Sequence, residues 1–199
     1  GAWIGFVVAF LLFRFLGKKY GWSKKLTGCL ILTAGLGNTS FLGFPIIEAL
    51  YGQEGMKTAI LVDQPGTFVV LSTLGIIVAT MYSKGEPNSI QIFKKIIFFP
   101  PFITFVVACL MNVFNFDFQE WIQFILQKVG SGVTPLALVS VGLQLRFESR
   151  SQHWQFLGLG LLYKLILTPA IIYLLYVVIL NQNSKMIEVA IMESAMAPM

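Results

Sequence analysis

Apolar residues fill the chain in long blocks, with short polar stretches between them. The blocks run over residues 2–16, 26–50, 57–81, 96–114, 129–145 and 154–180, and a seventh starts at Met186. Several reach the roughly 17–25 apolar residues that a helix needs to cross a bilayer. None shows the sustained alternation of a membrane β-strand. The pattern predicts an all-α membrane protein of about seven segments, with residues 118–128 as a short interfacial helix.

Composition agrees: the chain is 56% hydrophobic and 12% charged, with a mean hydropathy of +0.78. A soluble domain carries about twice that share of charge. The net charge of +5 matters through its distribution. Polar stretches after the first, third and fifth blocks hold Arg14, Lys18, Lys19, Lys24, Lys25, Lys84, Lys94, Lys95, Arg146 and Arg150. Those after the second, fourth and sixth hold little beyond Lys57, Lys128 and Lys185. Positive charge stays on the cytoplasmic side. The alternation therefore predicts a multi-pass protein of the cell membrane, with block two running outward and block seven inward. It also accounts for the basic residues without nucleic acid. Trp3, Trp22, Trp121 and Trp154 fit aromatic belts, and His153 reads as interfacial. The chain opens on Gly-Ala-Trp-Ile and stops after Pro198 inside an apolar block, which reads as the middle of a longer protein.

One block has an odd interior. Residues 37–45 read Gly-Asn-Thr-Ser-Phe-Leu-Gly-Phe-Pro. Proline removes a backbone donor and glycine lets the chain leave helical angles. Such a stretch at bilayer depth is tolerated only where protein or a wet cavity satisfies its backbone. A proline kink with back-bonded hydroxyls would also fit. The seventh block repeats the device, with Glu193, Ser194 and small residues before Pro198. Broken helices in two oppositely directed halves point to a transporter binding site. Pro135 and Pro169 are weaker signals of the same kind.

Four ionisable residues lie within blocks: Asp63, Lys164, Glu188 and Glu193. A charge at the bilayer centre costs about 2.5 kcal/mol or more and marks a functional candidate. Lys164 and Glu193 fall at similar depth, where they could pair or one could titrate. Asp63 is shallower, and Glu188 is placed to snorkel. Cys29 and Cys109 sit in apolar blocks and fix no redox compartment. No His/Cys cluster has metal spacing, and no nucleophile–base constellation or phosphate loop emerges, so neither a cofactor nor an enzyme is expected.

The stretches "GNTSFLGFPIIEALYG" (37–52), "VTPLALVSVGLQL" (133–145), "YKLILTPA" (163–170) and "MESAMAP" (192–198) resemble the auxin efflux carrier family of membrane transporters. The resemblance covers essentially the whole chain and implies ten helices in two inverted repeats, each with a broken helix, the two breaks crossing. It implies a transport domain from residues 1–82 and 151–199, with scaffold helices and loops at 83–150 that can dimerise. It further implies elevator-type alternating access for a small organic anion, a carboxylate above all. By motif position, Asn38, Thr39, Ser40, Pro45, Ser194 and Pro198 carry over as substrate-binding residues, beside Gly43. Glu193 departs from the small neutral residue usual there. The stretch around it resembles the cation-binding helix of bile acid:sodium symporters, which makes Glu193 and Glu188 candidates for coupling H+ or Na+, alongside Asp63 and Lys164. A membrane sensor on the same fold is the competing expectation.

Overall fold

A computed structural model describes residues 1–83, 89–144 and 154–199. His153, Arg146, Arg150 and Lys84 lie outside the described residues. Among those described, all regular elements are helical. They are α1 (Ala2–Tyr20), α2 (Lys24–Gly35), α3 (Phe44–Val62), α4 (Ile76–Tyr82), α5 (Ser89–Ile97), α6 (Pro100–Val113), α7 (Glu120–Gln144), α8 (Trp154–Leu162), α9 (Thr168–Tyr173) and α10 (Lys185–Ser194). Wide π-type turns join several of them. Thr39–Tyr82 and Trp154–Ile179 thereby form helical runs long and apolar enough to cross a membrane.

Local chemistry sets the ends. Gly21 closes α1 with φ 65, a conformation glycine adopts without steric cost. Ser23 caps α2, its hydroxyl accepting the Leu26 N–H. The polar turn expected at 51–56 is a reversal at Gly52, whose φ of 63 and ψ of −160 leave the helix. Thr39 hydrogen-bonds to Asp63, 24 residues along. A straight helix would hold these residues about 36 Å apart, so the chain doubles back between them.

The apolar core is built from α1, α2 and the runs that flank them. Phe6, Ala9 and Phe13 form one stripe of α1 and meet Leu30, Ile31 and Ala34 of α2, with Val70, Val78 and Tyr163 completing the cluster. Tyr163 packs edge-on against Phe13 at 5.5 Å between ring centroids and donates its hydroxyl to the Gly5 carbonyl at 2.6 Å. A second cluster joins Ile47 and Ala59 of α3 to Val189 of α10 and to Met196. Both clusters serve to fix residues 36–43 against α10. The outer faces are apolar as well: Val7, Leu11 and Phe15 on α1, and Leu165 and Ile166 after α8, are exposed. Contiguous apolar exposure on this scale suits lipid rather than water.

The chain divides into two compact units, Gly1–Ile96 with His153–Met199, and Ile97–Gln152. Within the second, α6 buries none of its side chains and exposes Val107, Leu110 and Val113. The interfacial helix expected at 118–128 and the block at 129–145 are one helix, α7, which carries Pro135 in its interior. A proline costs a helix one hydrogen bond and a clash, yet it bends a long apolar helix more readily than it ends one in a membrane.

Candidate functional site

The first break opens at Leu36, whose φ of −108 and ψ of 138 are extended. Helix α2 ends with the Leu36 N–H donating to the Leu32 carbonyl, and helical geometry resumes at Thr39. Asn38 caps the new start, its side-chain oxygen accepting the Phe41 N–H at 3.1 Å. Pro45 is not the breaking residue. It is exposed and follows the wide π-type turn of Thr39–Gly43, inside the helical run Thr39–Tyr82.

The chain also leaves helical geometry after α10, and residues 195–199 lie against the first break. Gly37 and Pro198 face each other as an antiparallel backbone bridge. The Asn38 N–H donates to the Ala197 carbonyl at 2.8 Å, and the Met199 N–H donates to the Leu36 carbonyl at 3.3 Å. Each break thus satisfies polar backbone groups that the other would leave orphaned. Ser194 spends its hydroxyl on the Ile191 carbonyl at 2.6 Å, a local bond within its own helix.

Three charged side chains converge beside the paired breaks, and all are buried: Asp63 and Glu193 are each 1% exposed, and Lys164 is 5% exposed. Asp63 is fully engaged. Thr39 donates its hydroxyl to one carboxylate oxygen, while Ser40 and Gln64 donate to the other at 3.1 and 3.2 Å. Glu193 is different. Both of its carboxylate oxygens are buried without a hydrogen-bond partner. Lys164 and Asp63 act on it electrostatically, with opposite sign, but the Lys164 ammonium is not bonded to it.

Two glycines shape the places these charges occupy. A Cβ at Gly37 would stand 2.8 Å from the Lys164 Nζ, and a Cβ at Gly43 would stand 2.9 Å from both Glu193 oxygens. The glycines of the motif at 37–43 therefore admit charged side chains against bare backbone. A small cavity of about 20 Å³ lies among Gly37, Thr39, Lys164, Thr168, Glu193 and Ser194, room for about one water-sized group. A larger one of about 610 Å³ lies between α2 and α8, with Leu26, Leu30, Phe156 and Pro198 among its walls. It reaches the break at Pro198 but none of the three charges.

Of the residues singled out from the sequence, Thr39, Ser40, Asp63, Lys164, Gly43 and Glu193 come together, with Asn38 and Pro198 forming the paired backbone. Glu188 stands apart, exposed in the first turn of α10, where an acid complements the helix dipole. Sequence reasoning missed Gln64 as a partner of Asp63. Gln64 adjoins Asp63 in the chain, which is a usable signal. Ser72 is wholly buried with its hydroxyl unpartnered, and nothing in its neighbourhood of sequence marks it. Among the described residues, no group of three or more His, Cys, Asp or Glu side chains could hold a metal ion.

Gly43→Ala is expected to push the Glu193 carboxylate out of its seat. A carboxylate at the end of a flexible side chain moves cheaply, so thermal stability in detergent should change little.

The model of the membrane transport protein family matches residues 1–199. The chain is similar to an uncharacterized transporter of Methanocaldococcus jannaschii, with 36% identity over 142 residues, covering 70% of this chain and 44% of that protein. It is also similar to an uncharacterized transporter of Methanothermobacter thermautotrophicus, with 30% identity over 183 residues, covering 90% of this chain and 59% of the relative. The chain thus spans about half the length of the curated relatives it matches. No solved structure matches it significantly. A helical chain with apolar outer faces, a helix break at residues 36–38 paired with the residues that follow α10, and a family match along its whole length belongs to the membrane transport protein family, the auxin efflux carrier-like family of membrane transporters.

Proposed function

We propose that the protein is a secondary active transporter of a small organic solute, a carboxylate anion, and not an enzyme. The single observation that carries this reading is the pairing of the two breaks, Gly37 against Pro198, beside buried Asp63, Lys164 and Glu193. Breaks that satisfy one another's backbone are stable in a membrane and leave helix ends directed at a solute. Asn38, Thr39, Ser40, Gly43, Pro45, Ser194 and Pro198 form the substrate site in this reading, and Glu193 couples the solute to H+ or Na+.

The reading extends to architecture. The breaks are the crossing points of two inverted repeats in a multi-pass protein of the cell membrane. Residues 1–82 and 151–199 move as a transport domain in an elevator-type cycle, and residues 83–150 form a scaffold through which two copies associate.

The test is uptake by the full-length protein in proteoliposomes, across radiolabelled monocarboxylates and dicarboxylates, with imposed pH and sodium gradients. Accumulation of at least one carboxylate under one gradient is expected. The absence of gradient-driven flux for every solute would remove the coupled-transporter reading.

A further inference from the structure

We propose that Lys164 binds the carboxylate of the transported solute, and that Glu193 is a built-in competitor for that charge which must take up a proton before the solute can bind. The inference rests on the reading of the chain as a carboxylate transporter, and it names what recognises the anion and what couples it.

Lys164 is the cation of the buried cluster. Its ammonium lies against the bare backbone of Gly37, at the paired breaks. Asp63 is already held by Thr39, Ser40 and Gln64, so its lone pairs are committed elsewhere. Glu193 is the remaining carboxylate, and its two oxygens are buried without a partner. A buried carboxylate left in that state is costly unless it is neutral or paired. The groups facing it are Asp63 from the turn after α3, Lys164 from the turn after α8, and the backbone of Gly43. Glu48, Glu54 and Lys57 on α3 and Glu188 on α10 are exposed and face away from it.

Charge counting then fixes the coupling. With all three groups ionised the cluster carries one net negative charge. Adding a carboxylate monoanion would raise this to two in a buried site. Protonating Glu193 as the anion arrives keeps it at one. The cavity of about 20 Å³ leads to the same conclusion, because it has no room for a second carboxylate unless that of Glu193 moves aside. Lys164 therefore exchanges a weak, unbonded internal anion for a bonded external one. One proton travels with each monoanion, the proton on the Glu193 carboxyl and the anion on Lys164, and the cycle moves no net charge.

Equilibrium binding to the purified full-length protein tests this, with radiolabelled acetate, pyruvate and malonate as probes between pH 5 and 9. One-proton linkage predicts that monocarboxylate affinity falls by about tenfold per pH unit once Glu193 is ionised. Glu193→Gln should bind with affinity independent of pH wherever Lys164 keeps its proton. Lys164→Gln should bind at least about tenfold more weakly at every pH, and Lys164→Arg within about threefold of the original, because guanidinium also holds carboxylates. The double variant Lys164→Gln, Glu193→Gln carries neither charge and so avoids a stranded one; it should fold yet bind no probe. Wild-type affinity in Lys164→Gln or in the double variant, each with its fold intact, or an unaltered pH slope in Glu193→Gln, would overturn the proposal while leaving the transporter reading intact. Binding of none of the probes by the unaltered protein would remove the carboxylate reading and this inference with it.

Discussion

Asp63→Ala is expected to lose about 3 kcal/mol of stability, with transport falling to background. Hydrogen bonds to a charged acceptor contribute about 1.5–3 kcal/mol each. Asp63 accepts from the hydroxyls of Thr39 and Ser40 and from the Gln64 amide. Removing it also relieves the desolvation of one buried charge and its repulsion of Glu193, which offsets part of the loss. The bonds still decide the sign, because the donors sit at the start of a helix with no alternative acceptor placed for them. They also tie the two arms of the hairpin at Gly52 together at its open end, so their loss loosens residues 39–43 against α10. Asp63→Asn keeps an acceptor oxygen and should lose less than half as much. Thermal melts in detergent compare the two. Equal losses would mean that the negative charge, and not the acceptor geometry, holds the hairpin closed.

Gly28→Leu is expected to be the most damaging substitution in the helix packing. A Cβ at this position would stand 2.3 Å from the Cβ of Tyr82. That atom is fixed to the α4 backbone and cannot swing away, unlike the charged tips beside Gly37 and Gly43. Helices α2 and α4 must therefore separate. Overpacking of this kind costs about 1–3 kcal/mol when one or two methylenes are added, and a whole leucine lies at the upper end. Because α2 delivers Leu36 and Gly37 to the paired breaks, the same separation should reduce uptake. Gly28→Ala should show a smaller loss of the same sign. A melting temperature unchanged in both variants would mean that α2 and α4 are not in contact through Gly28.

Much of the fold was readable because a membrane imposes simple rules. Blocks of apolar residues became helices, and the reversal near residue 52 followed from polar residues and a glycine between two such blocks. The location of the first break was harder. Pro45 draws the eye, yet it lies inside the helical run that starts at Thr39, and the chain actually leaves helical geometry at Leu36, two residues before a capping asparagine. The division expected between residues 128 and 129, inside α7, was misjudged for a similar reason: Gly130, Gly132 and Pro135 weaken a helix without ending one.

The candidate site was legible as a list but not as an arrangement. Depth arithmetic put Lys164 and Glu193 at one level and left Asp63 and Glu188 shallower. Periodicity cannot say which of these meet across the fold, since that depends on how hairpins pack. Asp63 reaches the breaks because the chain doubles back at Gly52, which carries it to Thr39. Glu188 stays outside because it precedes Glu193 by five residues and so lies on a different face of α10. The unbonded state of the Glu193 carboxylate could not be read from sequence at all. It depends on Gly43 supplying bare backbone where a side chain would otherwise sit.

The most direct measurement concerns the pairing of the two breaks and its part in transport. Antiparallel neighbours lie about 4.5–5.5 Å apart between Cα atoms, within the range a disulfide spans. Leu36→Cys and Met199→Cys, which flank the Gly37–Pro198 bridge, can be combined in a full-length protein whose Cys29 and Cys109 are serine. Oxidation in proteoliposomes is expected to join the pair, reversibly on adding a reducing agent, and to leave carboxylate uptake running, because both positions travel together in the proposed transport domain. Failure to form the cross-link would contradict the pairing of the two segments, and loss of uptake on cross-linking would contradict their movement as one domain.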